Sequence, residues 1–127
     1  MKVFVYWNLA KKCWSVKALE GPFKGLVVFR TRDLLLTDCT FKVSEAGRQR
    51  VLREQRKNVH AGVVGHFSKH VEPAEVPKDP LLITYNPYRD GHFSVMQPLG
   101  SVKGEVVHAK VVRANGRVMW AEGATWR

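Results

Sequence analysis

Apolar and polar residues alternate with a period of two through the first third of the chain, which predicts antiparallel β-strands rather than helices. Residues 2–7 and 13–19 are rich in β-branched and aromatic side chains, and a short polar segment separates them. These two segments are expected to form a hairpin. A third strand is predicted over residues 26–30, after a turn with glycine at both ends. Shorter strands are predicted at residues 34–36 and 40–43, on either side of a polar corner.

The pattern changes after residue 43. Ser44 is a suitable N-cap because its hydroxyl can accept a hydrogen bond from the free N–H groups of a first helical turn. Glu45 suits the positive end of the helix dipole. Most of the following residues are strong helix formers, so we expect a helix from about 44 to 58, ending at Asn58. A thin apolar edge that includes Val51 is predicted on one side of this helix. The other side carries four cations, Arg50, Arg53, Arg56 and Lys57.

The second half of the chain predicts further strands. They are expected at residues 59–65, 81–85, 92–96, 106–112 and 117–121. The last two flank Asn115 and Gly116, a dipeptide that favours a type I′ hairpin because both residues tolerate positive φ.

Residues 72–80 contain three of the six prolines and are predicted to form an irregular loop. This loop is the best candidate for an internal boundary, but the roughly 47 residues beyond it are few for a separate stable domain. We therefore expect a single domain over residues 1–127. The predicted class is α+β: a mostly antiparallel β-sheet, or a small barrel-like sheet, with one principal basic α-helix at about 44–58.

Charge is the strongest functional signal. The chain has 21 Lys and Arg against 11 Asp and Glu, a formal net charge of +10, and residues 1–57 hold 13 of the cations and 5 of the carboxylates. Residues 48–57 contain five cations and a single carboxylate, Glu54. Arginine predominates there, and its planar fork suits phosphate. The alternative is a solvated helix face, which usually mixes both signs. The predicted nucleic-acid contacts are Lys42, Arg48, Arg50, Arg53, Arg56, Lys57, Asn58 and His60.

Aromatic residues are weaker candidates. Stacking on exposed bases is one role for them, although aromatic residues in alternating strands are usually part of the core. The side chains considered for stacking are Tyr6, Trp7, Trp14, Tyr85, Tyr88 and Phe93.

The sequence favours a binding protein over an enzyme. Two cysteines are too few for a disulfide framework and form no paired zinc motif. We assign no metal ligands, no cofactor and no catalytic residues. A general acid–base role is physically feasible for four histidines, although nothing in the sequence orients them. They are His60, His66, His92 and His108.

No segment has the length of a signal-peptide core or of a membrane span. A cytoplasmic protein without membrane contact is expected.

Two segments carry a resemblance. Residues 41–62, FKVSEAGRQRVLREQRKNVHAG, and the opening segments KVFVYWNL and KCWSVKALEGP are similar to a family of small proteins from tailed bacteriophages and prophages. The similarity covers roughly residues 1–65. It implies a protein made in the bacterial cytoplasm during infection, in a class that often modulates host machinery or blunts host defence. It supplies no catalytic residues.

These observations lead to one expectation and two alternatives. We expect a phage protein that binds nucleic acid, or a nucleic-acid–protein assembly, through its basic helix and acts by occupancy. The first alternative is an inhibitor that docks on an acidic groove of a host enzyme. The second is a small metal-independent nuclease. The choice between RNA and DNA, and the oligomeric state, stay open.

Overall fold

The structure is a computed structural model that describes residues 1–56, 59–67, 81–97 and 100–126. Strands make up 60% of it and helix 10%. The strands are β1 Lys2–Asn8, β2 Cys13–Ala18, β3 Val27–Thr31, β4 Asp33–Val43, β5 Ala61–Phe67, β6 Leu81–Thr84, β7 Phe93–Met96, β8 Val102–Asn115, β9 Val118–Glu122 and β10 Thr125–Trp126, and the helix is α1 Glu45–Glu54.

The N-terminal half forms an antiparallel sheet in the order β3-β2-β1-β5-β4. The predicted hairpin of the first two strands is confirmed, with Val5 opposite Val16. Alternation along β1 decides which side chains face the core. Val3 and Val5 are fully buried, whereas Phe4 and Tyr6 point to the opposite face of the sheet. The sheet therefore has one core face and one aromatic outer face.

Strand β4 replaces two strands predicted on either side of a corner. Its buried positions are Leu34 and Leu36, and then Cys39 and Phe41, so the alternation shifts by one residue in the middle. The register with β5 shifts at the same point. Asp38 adopts a left-handed φ of 51° there, as expected of a β-bulge. The extra residue keeps both halves of one strand facing the same core.

The C-terminal half closes on itself. Strand β8 pairs with β7 and with β9, and β6 joins β7 to β9, so these four strands form a small closed barrel. The hairpin predicted around Asn115 is confirmed, but its turn is not type I′. Asn115 pairs with Val118, which puts Gly116 and Arg117 at the two central positions. Gly116 has a φ of 56° and Arg117 no positive φ, the pattern of a type II′ turn.

The two halves are joined by antiparallel pairing of β4 with β8 and, in addition, by a long-range side-chain hydrogen bond. Trp14 is 6% exposed, and its indole Nε1 donates a hydrogen bond of 2.7 Å to the carbonyl oxygen of Gly116. The tip of the β8–β9 hairpin is thereby attached to strand β2. Trp7 packs edge-on against the Trp14 ring, with 5.2 Å between ring centroids. This corner is a continuous part of the core.

The predicted α+β class with a principal helix at 44–58 is wrong, because the structure is mostly β. Helix α1 has ten residues. It ends early because Gln55 turns to a left-handed φ of 52° and its N–H donates to the Val51 carbonyl, an ordinary helix stop. Val51 is the one helical residue that is buried, so packing gives little support to a longer helix. No helix in the described residues is long and apolar enough to cross a membrane.

The remaining predictions for the second half divide in two. The strands expected near 59–65, 81–85 and 92–96 are present as β5, β6 and β7. The proline-rich loop at 72–80 and the proposed helix stop at Asn58 lie outside the described residues. Strands from before and after that loop belong to one hydrogen-bonded sheet.

Candidate functional site

An open cleft of about 620 Å³ lies on the outer face of the N-terminal sheet, at the base of helix α1. We call it the basic cleft. It is lined by two lysines, two aromatic rings, a histidine and smaller residues: Lys17, Lys42, Phe4, Tyr6, His60, Gly25, Val27, Val43, Ser44 and Val59. None of these described lining residues is acidic. The cleft therefore combines positive charge with exposed ring surface.

Strand register explains why these side chains meet. Lys17 lies directly opposite Phe4 on the neighbouring strand, and Lys42 lies opposite Gly62. Since β2, β1, β5 and β4 are consecutive in the sheet, the two lysines flank the rings from opposite sides. Three strand spacings separate them, roughly 14 Å.

The floor of the cleft depends on Gly62, which has no side chain. A β-carbon built on Gly62 would lie 2.6 Å from Cζ of Phe4 and 2.7 Å from its Cε2. The Phe4 ring therefore lies across the backbone of β5 at the point where residue 62 has no side chain. Tyr6 follows on the same face, with its ring centroid 6.0 Å from that of Phe4. The two rings form a short platform.

The helix is attached to the edge of the cleft through its first turn. Ser44 caps the helix by accepting a hydrogen bond from the Gly47 N–H at 3.2 Å, which confirms the predicted N-cap. The Ser44 N–H donates to the carbonyl of His60 at 2.7 Å. Nε2 of His60 lies 2.6 Å from the Tyr85 hydroxyl, and burial raises the pKa of Tyr85 to about 12. His60 is thus a structural link between helix and barrel.

Arg48 is directed inward. Its side chain is 16% exposed and forms an ion pair of 3.0 Å with Glu45, and its Nε donates to the Pro87 carbonyl at 2.9 Å. A hydrogen bond from Gln49, with further help from Arg48, lowers the pKa of Glu45. Arg48 therefore fastens the helix to the β6–β7 turn, and its guanidinium is less available to a ligand than the sequence suggested.

The other predicted contacts separate into three groups. Arg50 and Arg53 are exposed on the helix, and Arg56 is exposed beyond its end. Arg56 therefore does not share a helical face with the other two, contrary to the prediction. Lys42 and His60 line the basic cleft. Lys57 and Asn58 lie outside the described residues.

Sequence reasoning missed Lys17 and Phe4. A signal was present, because Phe4 and Tyr6 have the parity opposite to the buried Val3 and Val5. Aromatic residues on the polar side of an alternating strand point to an exposed ring surface rather than to the core. Which lysine completes that surface depends on register, which the sequence leaves open.

The histidines offer no arranged catalytic group within the described part of the chain. Nδ1 of His92 lies 3.1 Å from the Ser94 hydroxyl and 3.9 Å from an Asp90 oxygen. The serine hydroxyl and the carboxylate therefore both lie near Nδ1. A catalytic triad would need one of these groups at each ring nitrogen. Burial opposes ionisation of Asp90, but hydrogen bonds from Arg89 and the His92 N–H outweigh it and lower the pKa of that carboxyl.

The other two histidines in the described ranges lie apart from this cluster. His108 pairs with Asp38 at 3.0 Å, and His66 is exposed on β5. Among the described residues, no three metal-binding side chains come together.

Fold and site together define a small, basic, mostly β protein with a lysine- and aromatic-lined cleft beside a short helix. A family model described as Mycobacterium phage L5 gene 82 protein matches residues 1–115, and the chain belongs to that family. The Gene 82 protein of Mycobacterium phage L5 is 43% identical over 101 residues, covering 73% of this chain and 76% of the relative. No solved structure matches the chain.

These comparisons confirm the bacteriophage resemblance found in the sequence. They also extend it, since the family match continues past residue 65 to residue 115. The match includes β6, β7 and β8 and ends at the β8–β9 turn, before the last barrel strand, β9.

Proposed function

We propose that the protein binds nucleic acid, or a nucleic-acid–protein assembly, through a surface made of the basic cleft and the exposed arginines of the helix. The observation that carries the proposal is the lining of the cleft, where Lys17 and Lys42 flank two aromatic rings and no described lining residue is acidic. Phosphate needs cations without competing carboxylates, and bases need ring surface. The cleft offers both.

The helix enlarges this surface. Ser44 belongs to both the cleft and the helix cap, and Arg50 follows it by six residues, a rise of about 9 Å along the axis. Arg53 lies one turn further along the helix, and Arg56 is exposed just beyond the helix end. A strand of nucleic acid leaving the cleft would meet these guanidinium groups next.

Membership of a phage family sets the context. A protein of this kind would be made in the cytoplasm of the infected bacterium and would act by occupying nucleic acid, or an assembly that contains it. Modulation of host machinery or of host defence fits such an action. Neither requires a catalytic group.

Fluorescence anisotropy with labelled DNA and RNA across a salt series tests the proposal. The logarithm of the binding constant should fall linearly with the logarithm of salt concentration, because each neutralised phosphate releases about 0.7 to 0.9 counterions. The slope of this line therefore counts the phosphate contacts. The triple variant Arg50→Gln, Arg53→Gln, Arg56→Gln should reduce the slope by up to about 2 to 3.

A matched triple variant on the barrel serves as the control. Lys103→Gln, Lys110→Gln, Arg117→Gln removes the same charge from exposed positions away from the cleft and should leave most of the slope intact. Equal losses in the two variants would show that net charge alone is responsible. Undetectable binding at low salt would overturn the proposal.

A protein partner is the second candidate. Strand β3 pairs only with β2 among the described strands, so one edge is open. Phe23 and Leu26, in the loop before it, are 60% and 59% exposed. An open edge beside exposed apolar side chains is a common protein-binding feature. Recovery of a bacterial partner from nuclease-treated lysate, lost in a Phe23→Ser, Leu26→Ser variant, would favour this candidate.

A further inference from the structure

We propose that the basic cleft selects single-stranded over double-stranded nucleic acid by stacking unpaired bases on Phe4 and Tyr6. This inference rests on the proposed function and specifies its ligand. The stacking site is distinct from the arginines of the basic helix, which belong to the same proposed surface. It is the outer face of the sheet, and the helix only borders it.

Ring geometry carries the first step. Phe4 and Tyr6 occupy alternate positions of one strand, so both rings stand on the same face, with 6.0 Å between centroids and 33° between planes. Both side chains are half-buried, with part of their surface lining the cleft. Two neighbouring rings on a sheet can each receive one base, as in other sheet-based readers of single strands.

Charge placement carries the second step. Lys17 and Lys42 lie on opposite sides of the rings, roughly 14 Å apart by strand spacing. A segment of a few nucleotides can place its bases on the rings and its phosphates near both ammonium groups. Lysine is a mobile point charge rather than a rigid fork, which suits the irregular backbone of an unpaired strand. Arg30, exposed on β3, extends the positive side of the same face.

Pre-organisation carries the third step. Phe4 is held against the backbone of β5 by the space above Gly62, so its ring needs little ordering when a ligand binds. The bases of a duplex are already stacked on one another and paired. They cannot reach rings held this close to a sheet without unstacking, so duplex would gain only the phosphate contacts.

The test compares fluorescein-labelled oligothymidylate with a labelled duplex of the same length at one salt concentration. The wild-type protein should bind the single strand more tightly by about tenfold or more. Tyr6→Leu should weaken single-strand binding by between about fivefold and a hundredfold and leave duplex binding unchanged. Oligouridylate should bind as tightly as oligothymidylate. The proposed contacts are stacking of the rings on base faces and pairing of the lysines with phosphates, and both oligonucleotides contain these groups.

Tyr88→Leu is the matched control, because it makes the same substitution at a residue that is 64% exposed in the β6–β7 turn. It should change neither affinity. Photo-crosslinking of the wild-type protein to a strand containing 5-iodouracil gives a second readout that needs no variant. Mass spectrometry should then find the adduct on Phe4 or Tyr6.

The two proposals fail in different ways. Equal affinity for single strand and duplex, or single-strand binding unchanged in Tyr6→Leu, would overturn the stacking site and leave the proposed function standing. Crosslinks found only on the helix would do the same. Undetectable binding of every oligonucleotide at low salt would overturn both.

Discussion

The ring of Phe4 on strand β1 occupies the space in which residue 62 on strand β5 would carry a side chain. A β-carbon on Gly62 would meet the Phe4 ring and the Val5 carbonyl oxygen closer than real β-carbons come to any atom. The packing constraint on Gly62 and the position of the half-buried Phe4 ring in the cleft therefore have the same cause. The glycine positions the candidate site without contacting a ligand.

Substitution of this glycine should damage stability and the cleft together. Gly62→Ala must displace the Phe4 ring or the β1 backbone, which should cost about 1–3 kcal/mol, the usual range for an overpacked site. Denaturant unfolding measures the free energy. Gly91→Ala is the control, because the one tight neighbour of its β-carbon would be a carboxylate oxygen at the end of the exposed Glu45 side chain. Equal stability of the two variants would show that the Phe4 ring yields freely.

Local pattern predicted most strands but not how they assemble. Alternation placed β1 and β2 correctly because each presents a clean apolar face. It failed at β4, where the residue inserted near Asp38 reverses the alternation and made one strand look like two. The pairing of β6 with β9 that closes the barrel was not predicted, since long-range pairing is set by tertiary register rather than by local propensity.

The helix, in contrast, was predicted to be longer than it is. Propensity and charge indicated a long basic helix, yet a left-handed Gln55 ends it after ten residues. Arg48 is one of the predicted nucleic-acid contacts, yet its side chain is largely buried against the β6–β7 turn. Lys42 and His60 line the basic cleft and do not lie on the helix. Which cations face solvent depends on the packing partner, and the sequence does not identify it.

The Trp14 hydrogen bond should be a major support of the fold. Trp14→Phe removes the Nε1 donor and leaves the buried Gly116 carbonyl without that bond, which should lower the free energy of unfolding by about 1–3 kcal/mol. Trp126→Phe makes the same substitution at a side chain that is 43% exposed and should change stability by less than about 0.5 kcal/mol. Thermal or denaturant unfolding distinguishes the two. A Trp14 variant as stable as the Trp126 variant would contradict this role.

The Ser44 cap should stabilise the first turn of the helix that carries Arg50 and Arg53. Ser44→Ala deletes the acceptor for the Gly47 N–H and should cost about 1 kcal/mol. Amide exchange at Gly47 should quicken, while exchange in β8 should change little. Ser44→Asp keeps an acceptor in place and should preserve protection. Unchanged exchange at Gly47 in Ser44→Ala would mean that the contacts with His60 and Tyr85 hold this turn on their own.

Alkaline pH should weaken the fold through two weak acids, the buried thiol of Cys39 and the partly buried hydroxyl of Tyr85. Burial raises the pKa of Cys39 from 9.0 to about 12, with the Asp38 carboxylate adding to the rise, and burial raises the pKa of Tyr85 from 10.0 to about 12. Folding disfavours both anions, so the stabilisation is complete below pH 9 and is lost as pH rises from 9 to 12. Denaturant unfolding at several pH values should show this decline. Cys39→Ala should make the fall in the free energy of unfolding between pH 9 and 12 less steep, although this variant starts from a lower stability. Cys13→Ala keeps Cys39 and should show the same fall as the wild type. A Cys39 variant with the wild-type slope would show that this thiol does not ionise within the transition.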